Sequence, residues 1–154
     1  MAKIISLGCE VAHVHGRYSA IHRALFGVSS YRLVVASLTG RERNIYREYE
    51  RTLDELEGEL AKLTTNITAI GEHEKRVRSA EQVHTTLLEY IQTLRDVIRS
   101  LGSIYHKLGE DEKGYRSDPG EGPSQFNQDK IGYDHSRQQL ERVGTRINKL
   151  FSTY

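Results

Sequence analysis

Residues 49–70 read YERTLDELEGELAKLTTNITAI, and their apolar positions Tyr49, Leu53, Leu56, Leu60, Leu63, Ile67 and Ile70 advance by four and three residues in strict alternation. That step averages half of seven, so the apolar side chains form one stripe along a helix that seeks a partner stripe. The spacing predicts a helix over 41–70. Just upstream, Thr39-Gly40-Arg41-Glu42 fits a capping box, in which a hydroxyl and a carboxylate satisfy the first free amides. Gly58 inside the segment costs about 1 kcal/mol against alanine, which packing can offset.

Working outward, Val77, Ala80, His84, Leu87, Ile91, Leu94, Ile98, Leu101, Tyr105 and Leu108 continue the same alternation over a predicted helix 73–108, but one seam position out of phase. Gly71 stands at the slip, and glycine readily takes the left-handed conformation that ends a helix. A tight turn and a helical hairpin are expected there, with one continuous helix containing a stammer as the alternative. Pro119 and Pro123 are the only prolines, and they fall in an acidic, Gly/Pro-containing loop over 109–123. A final helix is expected over 124–152, where Phe126, Tyr133, Leu140, Ile147 and Tyr154 recur every seven residues; Gly132 and Gly144 make it dependent on docking. Ile4, Leu7, Val11, Val14, Tyr18, Ile21, Leu25 and Val28 predict a first helix over 3–38, broken near 27–30 by Gly27 and the serines beyond it. The expected fold is all-α, a single domain over 1–154: an elongated antiparallel four-helix bundle or a helical-hairpin coiled coil.

Composition narrows the function classes. The 154 residues are 37% hydrophobic and 28% charged, which suits slender helices that bury one stripe and wet the rest. A net charge of +1 supplies no global field toward nucleic acid or membrane. No apolar run is long enough to cross a bilayer. The apolar stretch before Gly8 is too short for a signal peptide, and the lone Cys9 suits a reducing compartment, so a cytoplasmic protein is expected. Residues 110–134 are acidic, whereas Arg137, Arg142, Arg146 and Lys149 make the last helix basic without forming a nucleic-acid reading module.

Two features bear on recognition. Gly8, Ala12, Gly16, Ala20 and Ala24 place a small residue at every fourth position, the pattern that lets helix backbones approach closely. It reads as tight packing within the chain or as an association surface. Nine tyrosines against three phenylalanines and no tryptophan suit thin cores and wetted interfaces, with Tyr18, Tyr31, Tyr49, Tyr105 and Tyr133 on seams. Chemistry is less evident. Glu10-x-x-His13 and Glu81-x-x-His84 resemble half of a di-metal bundle site, but the first pair lies off its seam and no inward Glu completes the set. His84 reads instead as a satisfied, partly buried histidine. Cys9 and His13 are the other metal-capable pair. No P-loop, nucleophile elbow, zinc-protease or dinucleotide motif occurs.

Ile4-Ile5-Ser6-Leu7-Gly8 and Tyr31-Arg32-Leu33, with the order of bundle then trailing helix, resemble the four-helix membrane-permeabilising domain of necroptosis executioners and related fungal cell-death domains. The resemblance covers about a quarter of the chain. It implies a membrane-active bundle, although the basic cluster that such domains turn to lipid is missing. The residues themselves point first to a non-enzymatic, cofactor-free interaction or assembly protein, whose partner is another protein or a second copy. In that reading Gly8, Ala12, Gly16 and Ala20 allow close approach, and Leu87, Leu94 and Leu101 supply apolar anchors. A metal-binding bundle is the third reading.

Overall fold

The computed structural model describes residues 2–27, 40–70, 78–110, 114–116 and 124–153. Four helices account for nearly all of them: α1 (Ala2–Phe26), α2 (Glu42–Thr68), α3 (Arg78–Gly109) and α4 (Gln125–Phe151). The all-α bundle expected from the seams is the observed architecture, and no strand occurs among the described residues. The segment beyond Gly27, Gly71 and Tyr31-Arg32-Leu33 lie outside the described residues.

The hairpin reading of 41–108 holds. Helix α2 ends at Thr68, and α3 returns antiparallel beside it: His84 meets Ile67, Arg95 and Arg99 meet Glu57, and His106 meets Glu50. Helix α4 then runs antiparallel to α3, with Arg146 against Glu89 at one end and Lys107 against Asp129 at the other. Helix α1 packs on both α2 and α3, and Arg17 reaches Glu59 at 2.7 Å.

The core follows the seams. Leu53, Leu56, Leu60, Leu63 and Ile67 of α2 are buried against Leu87, Ile91, Leu94, Ile98, Leu101 and Tyr105 of α3. Helix α3 also buries Val83, Val97 and Ile104, a second stripe that the single-seam reading omits. It needs that stripe because it alone touches all three other helices closely. Removing this much apolar surface from water is what holds thin helices together, at about 25 cal/mol per Å².

At the helix ends, Arg41 is the N-cap residue of α2 and makes no side-chain cap bond, and the Glu42 carboxylate accepts from the Tyr46 hydroxyl; Thr39 of the expected capping box lies outside the described residues. Ser124 does cap α4, accepting from the Asn127 amide at 3.2 Å. The loop before α4 is not merely solvated and acidic. Tyr115 is buried, its ring stands edge-on to Phe126, its hydroxyl donates to Asp129, and its carbonyl accepts from the Phe126 amide.

Candidate functional site

The bundle is open on one side. No Cα of α1 comes within 8 Å of a Cα of α4, although each helix packs closely on α3. Large rings bridge the gap at both ends. At one end Phe26 stacks on Tyr133 and Phe126, and the Tyr133 hydroxyl lies 2.8 Å from His22 Nδ1 and 2.5 Å from the Tyr18 hydroxyl. At the other, Phe151 lies across Gly8, its Cζ 2.9 Å from where a β-carbon would stand. Residues 8 to 18 of a helix span about 15 Å, so the two closures bound a short slot floored by α3.

Two lobes share that slot. An apolar lobe of about 610 Å³ is walled by Ile5, Gly8, Ala12, Ile147 and Phe151 over Leu87. A polar lobe of about 510 Å³ holds Tyr18, His22, Arg137 and Glu141. His15, Tyr90, Gly144 and Asn148 line both lobes and mark their junction. The slot exists because the backbones of α1 and α4 stay apart. Gly144 lets Tyr90 lie against α4, where a β-carbon would stand 3.3 Å from the Tyr90 ring.

Burial sets the protonation of the polar groups. Desolvation lowers the His15 pKa below the usual imidazole value and pushes Tyr90 up to about 12. His22 is pushed down to about 4, by burial first and by the Arg137 cation second. Tyr133 is raised, chiefly by burial. Near neutral pH all four rings are therefore uncharged. Arg137 lies over the Tyr133 ring and 3.7 Å from Asp134.

The small-residue stripe is split between two surroundings. Gly8 is half-buried under Phe151, but Ala12, Gly16 and Ala20 are exposed, and nothing stands within 4 Å of a β-carbon built on Gly16. Tight packing within the chain is therefore not what the stripe does along most of its length, because α4 stands too far away to cover it. Leu87, Leu94 and Leu101, expected as anchors for a partner, are at most 1% exposed and serve the chain's own core, with Leu87 also flooring the slot. The metal-capable pairs are not assembled either. Glu10 and His13 are exposed on α1, and His84 donates through Nε2 to the Ile67 carbonyl at 2.8 Å. Among the described residues no three His, Cys, Asp or Glu side chains gather as a metal site, and no helix is long and apolar enough to cross a membrane.

His15, Tyr90, Gly144 and Asn148 were not singled out from the sequence as a site. They come from three helices and share no spacing, and Gly144 reads there only as a weakness of the last helix. Comparison with protein-family models, with curated proteins and with solved structures finds no match to this chain.

Proposed function

We propose that the protein is a non-enzymatic helical assembly module that recognises a second copy of itself through the exposed small-residue face of α1, whose Ala12 also borders the slot. The supporting observation is the uncovered stripe Ala12, Gly16 and Ala20. Exposed small residues at this spacing let two helices approach until their backbones touch. An antiparallel pairing about a two-fold axis at Gly16 sets Gly16 against Gly16 and Ala12 against Ala20, so the face is complementary to itself, as a closed dimer requires. The exposed thiol of Cys9 on the same helix suits a reducing, cytoplasmic setting.

Sedimentation across a hundredfold concentration range tests this. A dimer that forms with concentration, and that Gly16→Leu abolishes while leaving the helical spectrum intact, is the expected result. A strictly monomeric wild-type chain overturns it.

A further inference from the structure

The slot between α1 and α4 has the volume and lining of a small-molecule site rather than of a packing defect. Ligand sites are commonly clefts of roughly 300–1,000 Å³, mostly apolar, with a few convergent polar groups. Here the apolar lobe alone reaches about 610 Å³. Three residues with polar side chains, His15, Tyr90 and Asn148, line both lobes at their junction. Neither the His15 ring nitrogens nor the Tyr90 hydroxyl has a hydrogen-bond partner among the described residues; the two rings only face each other, centroids 6.2 Å apart. These groups are therefore available to bond the polar head of a molecule that enters the slot.

Arg137 and Glu141 line the polar lobe but not the apolar one, and Asp134 already stands 3.7 Å from the guanidinium. The residues that line both lobes carry no charge near neutral pH, so an ionised head at the junction meets only uncharged rings and an amide. Stripping water from such an ion costs more than these groups return, whereas a hydroxyl or amide head loses little.

We propose that this slot binds an uncharged amphiphile, its apolar body in the lobe walled by Ala12, Ile147 and Phe151 and its hydroxyl or amide head bonded to Tyr90, His15 and Asn148. The inference goes beyond self-association and does not depend on it. Cys9 lines the apolar lobe and its thiol is exposed, so its alkylation reports occupancy.

The test uses octanol, octanoate and octylammonium, one tail with a neutral, an anionic and a cationic head, near neutral pH. Binding is read by calorimetry and by protection of Cys9 from iodoacetamide. Octanol is expected to bind saturably, to protect Cys9, and to bind at least about tenfold tighter than either ion, the ratio that a partly desolvated unpaired charge imposes. Ala12→Phe, at an exposed position, should fill the lobe and abolish binding, and Gly16→Phe, one turn along and outside the slot, should not. Tyr90→Phe should weaken octanol severalfold while leaving the helical spectrum unchanged. Saturable binding of no probe overturns the site, and equal or tighter binding of either ion overturns the neutral head. The series is run on Gly16→Leu as well, so that a failure of the dimer and a failure of the slot are read separately.

Discussion

Tyr133 of α4 and Tyr18 of α1 join their hydroxyls at 2.5 Å across a gap that the two backbones never close. The Tyr133 oxygen also meets His22 Nδ1, so a single atom ties α4 to two successive turns of α1. Tyr133 is fully buried, and its oxygen finds no water to replace these partners. Tyr133→Phe keeps the stack on Phe26 but leaves the Tyr18 hydroxyl and His22 without that bond. We expect a loss of about 1–3 kcal/mol, read from urea midpoints. A double-mutant cycle with Tyr18→Phe should give a non-additive remainder, and strict additivity would show that the shared bond carries nothing.

The same cluster sets an acid limit. His22 titrates at about 4 in the folded chain, against about 6.5 when unfolded. Arg137, Arg23 and Lys130 oppose its protonation and Asp134 favours it. Between these values the unfolded chain binds the extra proton. Stability from this group is thus complete above about pH 6.5, falls as pH drops, and levels off below about 4. The total is on the order of 2 kcal/mol for a half-exposed ring, and the lowered pKa of His15 adds in the same direction. Urea titrations of the wild type and His22→Gln across this range should show a shallower slope in the variant; parallel curves would remove the assignment.

Glycines divide by what surrounds them. Nothing lies within 4 Å of a β-carbon built on Gly58, inside α2. Gly58→Ala should stabilise the chain by about 0.5–1 kcal/mol, because alanine has less freedom to lose on folding. Gly8→Ala should gain less, because Phe151 must move aside first. A thermal scan that ranks the two in the opposite order would contradict the placement of Phe151.

The buried leucines offer the largest effect. Leu94 is fully buried at the middle of α3, and Leu94→Ala should cost about 2–5 kcal/mol through lost burial and the cavity left behind. Self-association measured under conditions where the variant stays folded should be unchanged, since the side chain faces inward. A selective loss of assembly from a folded Leu94→Ala chain would return this residue to the role of partner anchor.

These residues also show how far the sequence could be read. Seven-residue repeats disclosed α2, α3 and α4 because each buries a stripe along its whole length, and Leu53 to Ile67 needed only a neighbour to confirm them. Val83, Val97 and Ile104 escaped because a single stripe assumes one neighbour, and α3 has three. Tyr115 escaped because one aromatic among acidic residues leaves no period. The smallness of Ala12 and Gly16 was legible, but their surroundings were not: whether a small residue is covered depends on where α4 comes to rest, more than a hundred positions later. The slot was illegible for the same reason, since His15, Tyr90 and Asn148 converge only after three helices are placed.

Because α4 lies closely along α3, while α1 touches α2 and α3 more sparsely, the first helix is the piece most easily detached. Local opening takes the least-braced unit first. Amide exchange in α1 should therefore outrun that of α2, α3 and α4, and every such excursion lifts Gly8 and Ala12 away from the opposite wall. Whatever lodges against them would come and go at the pace of that latch.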